Sequence, residues 1–110
     1  MSAKLSTHLL DTASGCPAAG VRIEVYRDGE QIADVITNAD RRCDGPLLAG
    51  DEMFDGPCEI HFHLGAYFTA RGIESPFLNV VPVHFQLCAD RSFHVPLVAS
   101  PWSYSTYRGS

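Results

Sequence analysis

A surplus of basic charge is missing from this chain: 8 Lys+Arg stand against 13 Asp+Glu, giving a net charge of −5 and a pI near 5.3. Nucleic-acid binding and adhesion to anionic membranes both require a cationic face, so neither partner is expected. Long apolar runs are missing too, and none approaches the roughly 18–20 residues of a membrane span. The first residues, Met1 to His8, hold no apolar signal core and no cleavage site, which predicts a protein that stays in the cytoplasm. Cys16, Cys43, Cys58 and Cys88 form no Cys-x-x-Cys pair and no metal-ligand spacing. They are predicted to be free thiols, mostly buried, in a reducing compartment. Repeats, low-complexity tracts, linkers and long stretches of helical period are all absent. What remains is 110 residues with 45% hydrophobic content, enough to close one core, so residues 1–110 are predicted to form a single domain.

Short alternating runs between turn residues fill that length. Leu5–Asp11 reads as a first strand ended by the Ser14-Gly15-Cys16-Pro17 break. Val21–Tyr26 and Gln31–Thr37 read as a hairpin about Asp28-Gly29, two residues that tolerate positive φ. The stretch 38–57, rich in Gly and Pro, predicts loop with at most one short edge strand. Cys58–Leu64 alternates again, and Ala66–Arg71 is the single helix candidate. Val81–Cys88, Phe93–Ala99 and Ser103–Arg108 follow as strands, with Pro96 predicting an edge or a bulge for the second of them. About seven or eight short strands at this spacing predict an all-β antiparallel sandwich with one short helix.

Several residues carry chemical potential. His61 and His63 share one strand face at a spacing that lets two imidazoles reach one ion, and His84 and His94 lie on strands that could be neighbours. No Cys or carboxylate completes a zinc pattern at fixed spacing, so the commoner role of solvated strand histidines is favoured and no metal is expected. His94 interrupts Phe93-x-Val95-x-Leu97 on the polar side, and His8 does the same within Leu5-x-Thr7-x-Leu9. Arginine outnumbers lysine although the chain is acidic, and Arg41-Arg42 stands between Asp40 and Asp44, either as a local ion cluster or as a clamp for substrate oxygens. The C-terminus ends Tyr104-Ser-Thr-Tyr-Arg-Gly-Ser110 in a strand pattern, whereas most chain ends fray. A docked end would deliver a Tyr hydroxyl, a guanidinium and a free carboxylate to one place.

That ending resembles the hallmark of the 5-hydroxyisourate hydrolase family, the transthyretin-like enzymes of urate breakdown. Leu5-Ser-Thr-His8-x-Leu10-Asp-Thr with Gly15-x-Pro17-Ala18 resembles its opening signature, and Thr37-Asn38-x-Asp40-x-Arg42 its middle motif. Phe93-His94-Val95-Pro96-Leu97-x-x-Ser100-Pro101 joins the terminal Tyr-Arg-Gly-Ser in the last. Four motifs in order span almost the whole chain. Two positions depart from the pattern: Arg41 replaces a usual glycine, and Trp102-Ser103 replaces an aromatic-glycine pair. Neither removes a candidate catalytic group.

The resemblance implies a transthyretin-like β-sandwich assembled as a homotetramer of two dimers, with pockets at the dimer–dimer interface. It implies a cyclic amide hydrolase that opens the six-membered ring of 5-hydroxyisourate with water, using no metal and no cofactor. By motif match, His8, Arg42, His94 and the terminal Ser110 are the catalytic groups, and His8, Arg42 and Tyr107 hold the substrate. Histidine, with an unperturbed pKa near about 6.5, suits the base or acid, and either His8 or His94 can be the base. Arginine keeps its proton and suits the developing oxyanion. The alternative on the same fold is a non-enzymatic carrier of the transthyretin type, which would favour an apolar channel.

Overall fold

Inward and outward side chains alternate along most of the chain, and the computed structural model, which describes residues 3–38, 45–73 and 77–109, resolves that pattern into nine strands and a helix. They are β1 (Lys4–Asp11), β2 (Cys16–Pro17), β3 (Arg22–Arg27), β4 (Glu30–Ile36), β5 (Leu48–Ala49), β6 (Gly56–His63), α1 (Leu64–Ala70), β7 (Val80–Leu87), β8 (Phe93–Ala99) and β9 (Tyr104–Thr106). Two sheets result. The first runs β2-β1-β8-β9, with β5 also paired to β1, and the second runs β4-β3-β6-β7. Side chains from the two inner faces, among them Leu5, Leu9, Ile23, Ile60, Phe62 and Leu97, form one buried core.

The expected sandwich is present, with differences in detail. One pairing is parallel: Leu5 to Asp11 of β1 lies in register with Phe93 to Ala99 of β8. β8 is an interior strand, not the edge that Pro96 suggested, because β9 flanks it on the other side. Pro96 is tolerated there because the β9 ladder is interrupted beside it. β9 ends at Thr106, whose hydroxyl donates to the Pro96 carbonyl at 2.7 Å, and pairing resumes only at the His94–Gly109 bridge. The proline ring therefore displaces no ladder bond. For the same reason the expected strand Ser103–Arg108 is confined to three residues.

The hairpin forms as the sequence demanded, with Asp28 at φ 51 and Gly29 at φ 80, the two positive values that a twist-matched two-residue turn needs. The break after Ser14 is more ordered than expected, since Cys16–Pro17 returns to pair with Leu10–Asp11. The helix begins two residues early. Leu64, Tyr67 and Phe68 fall at helical spacing and are buried together. It ends in paired reverse bonds, Ile73 N–H to the Phe68 carbonyl at 3.1 Å and Gly72 N–H to the Thr69 carbonyl at 3.0 Å. No helix among the described residues is long and apolar enough to cross a membrane.

Candidate active site

Parity places the site. Leu5, Thr7, Leu9 and Asp11 of β1 are buried in the sandwich, so Ser6, His8 and Leu10 face outward, and on β8 the same rule turns His94, Pro96 and Val98 outward. Parallel register sets Ser6 beside His94 and His8 beside Pro96, which makes the two histidines diagonal neighbours on the outer face of the first sheet. Their rings meet edge to face, with centroids 5.3 Å apart and planes at 78°. Two weak sequence signals, separated by 86 positions, are thus one constellation.

Tyr107 completes the described part. It leaves β9 and lines, with His8, Leu10, Pro96 and Val98, an open groove of about 170 Å³. The tail is held there by two bonds, Gly109 N–H to the His94 carbonyl at 2.7 Å and the Thr106 contact already described. Arg108 turns away from the groove and stacks its guanidinium over Phe93 at 4.7 Å, covering the open end of the core. Arg42, with Arg41, and the terminal Ser110 lie outside the described residues. The segment leading to Arg42 is anchored at Thr37, a buried residue whose hydroxyl donates to the Ala18 carbonyl at 2.7 Å and accepts from the Val21 N–H at 2.9 Å.

The other histidines fall on the opposite sheet. His63 Nε2 lies 2.5 Å from Glu24 Oε1, while His61 Nε2 and His84 Nε2 lie 3.1 and 3.5 Å from Glu59 Oε1. The His63 contact, aided by the Tyr26 hydroxyl and Arg22 against the cost of burial, holds the Glu24 carboxyl below its ordinary range. The same Glu24 bond pushes the Tyr26 hydroxyl up. Among the described residues no three His, Cys, Asp or Glu side chains are grouped so as to hold an ion. The candidate metal set is therefore divided between two carboxylates.

Sequence reasoning passed over two groups. Ser6 sits with its hydroxyl 2.9 Å from His94 Nδ1, a contact that depends on the unforeseen parallel register. Asp11, read as a strand end, is a buried carboxylate that accepts from the Tyr67 hydroxyl at 2.8 Å and from the N–H groups of Ala13 and Ser14 at 3.0 and 3.2 Å. Burial works to raise its pKa, and these donors together outweigh burial and hold it below the usual 3.8.

Fold and outer histidine face together define a transthyretin-type sandwich bearing a polar constellation on its β1–β8 sheet. The chain belongs to the HIUase/Transthyretin family, whose profile matches residues 5–109. It is 48% identical over 115 residues to the 5-hydroxyisourate hydrolase of Pseudomonas aeruginosa, covering 97% of this chain and 91% of that one. Among solved structures it resembles the Klebsiella pneumoniae 5-hydroxyisourate hydrolase with a TM-score of 0.88 and 34% identity, over 98% of this chain and 99% of that one. It also resembles an (S)-allantoin synthase with a TM-score of 0.92 and 40% identity, over 99% of this chain. The chain spans 44% of that longer protein.

Proposed function

We propose that this protein is a 5-hydroxyisourate hydrolase, opening the six-membered ring of its substrate with water in the breakdown of urate. One observation carries the reading: His8 and His94, each unremarkable in sequence, meet at 5.3 Å on one sheet face, where His8 lines a groove together with Tyr107. A carrier would favour an apolar channel at this place, and the 48% identity to a hydrolase favours the enzyme.

In the reaction one imidazole takes a proton from water as the water oxygen bonds to the ring carbonyl carbon. The carbonyl oxygen gains negative charge, and the ring C–N bond then breaks as its nitrogen receives a proton. The second histidine, Arg42, Tyr107 and the Ser110 carboxylate are assigned to holding the substrate, balancing the oxyanion and orienting the base. Substitution of His8 or His94 by Ala is expected to lower kcat by about 10² to 10⁴-fold. Arg42→Lys, which loses the planar fork, is expected to weaken turnover as well. The deciding experiment follows the ultraviolet decay of freshly generated 5-hydroxyisourate with and without protein. Strong acceleration is expected, and an unchanged spontaneous rate would overturn the proposal.

The working form is a homotetramer with its sites at the dimer–dimer interface. Supporting this, the groove is open on one side, and the apolar side chains of Leu10 and Val98 share the outer face with the histidines. The cytoplasm is the assigned compartment, supported by the free thiols of Cys58 and Cys88.

A further inference from the structure

We infer that Ser6 is a positioning residue for the hydrolysis, holding His94 by Nδ1 so that this imidazole works through Nε2. The inference rests on the proposed reaction but is read from the ring's surroundings. Ser6 and His94 are register partners across the parallel β1–β8 pair, both outward and both half-buried. Their side chains meet at 2.9 Å, which fixes the Nδ1 edge of the ring.

The opposite edge is fixed by the tail. Gly109 is bonded to the His94 carbonyl, and its Cα lies so close that an added Cβ would fall 2.8 Å from His94 Cδ2. Nδ1 and Cδ2 are thus both occupied, and the nitrogen left for chemistry is Nε2. Among the described residues no hydrogen bond reaches Nε2.

A serine hydroxyl suits this post because it both donates and accepts. When Nδ1 carries the proton, Ser6 Oγ accepts it and Nε2 presents a lone pair to water. When Nε2 carries the proton, Oγ donates to Nδ1 and Nε2 is an acid. Once Nε2 has taken a proton from water, the Nδ1–H still points at Oγ. One contact therefore holds the ring through each protonation state without lateral movement, and misplacement by an ångström would be costly to the rate.

The test compares wild type, Ser6→Ala and Ser6→Thr by steady-state kinetics, thermal unfolding and ¹⁵N-edited NMR of the histidine rings at acid pH. Ser6→Ala is expected to lower kcat about 10- to 100-fold with KM within about threefold, and with Tm within about 3 °C. Its His94 Nδ1 proton, protected in wild type, is expected to exchange freely. Ser6→Thr, which keeps the hydroxyl, is expected to recover most of kcat and the protected proton. Wild-type kcat in Ser6→Ala, or an Nδ1 proton equally protected without the hydroxyl, would overturn the inference. So would a loss of kcat that tracks a large fall in Tm and that threonine does not restore. Failure of the proposed function is separable, since there wild type itself would not turn over 5-hydroxyisourate while the NMR comparison still reports on the contact.

Discussion

Asp11 is only 2% exposed, yet it carries a charge that four donors approach: the Tyr67 hydroxyl, the Ala13 and Ser14 N–H groups, and Arg71 at 4.0 Å. It ties the end of β1 to α1, and so fixes the strand that bears His8. Asp11→Ala would leave buried donors without an acceptor, and a loss of about 2–3 kcal/mol is expected in urea unfolding at pH 7. The isosteric Asp11→Asn isolates the charge. Because the folded pKa lies below the ordinary 3.8, the carboxylate stabilises the fold fully above that value, and the contribution fades as pH falls through the depressed one. The stability gap between wild type and Asp11→Asn is therefore expected to narrow below about pH 4. At the tail, Gly109→Ala puts a methyl against His94 Cδ2, so kcat is expected to fall while Tm, set elsewhere in the sandwich, changes by less than about 3 °C.

The strands legible in the sequence were those long enough to show a period. β1, β3, β4, β6, β7 and β8 each run six to eight residues, and alternation located them to within two residues. β2 and β5 have two residues each, too few for any period, and tertiary pairing with β1 alone defines them. The start of α1 was hidden because Leu64 continues the inward alternation of β6 before the backbone turns. The outward placement of His8 and His94 could be read from alternation, but their proximity could not, because no local pattern announces that β1 lies beside β8. Ser6 was invisible for the same reason: a serine at a polar strand position carries no signal until its neighbour is known. The Asp28-Gly29 turn was legible because its chemistry is local. Gly29→Ala, forced to hold φ near 80, is expected to cost about 1–2 kcal/mol in urea unfolding. It should leave kcat untouched, since its hairpin belongs to the sheet without the groove.

At the scale of the whole molecule, aromatic side chains are left facing solvent near the groove and its tail: Trp102 is 63% exposed and Tyr107 60%. An assembly that covers the outer face of the first sheet would bury such surface, so Val98→Glu is expected to dissociate the proposed tetramer in sedimentation experiments and abolish turnover together. Dilution of the unmodified protein should likewise lower specific activity where the proposed tetramer falls apart. The pairing of β1 with β8 has a further consequence for synthesis. A strand completed in the first dozen residues must wait for a partner made after more than four-fifths of the chain, and nothing nearer offers it the same seam. Such distant closure makes folding slow and leaves a nascent β1 with a bare edge. A nascent chain stalled before Phe93 therefore presents His8 on a strand that still lacks its parallel partner, and with it the neighbouring ring of His94.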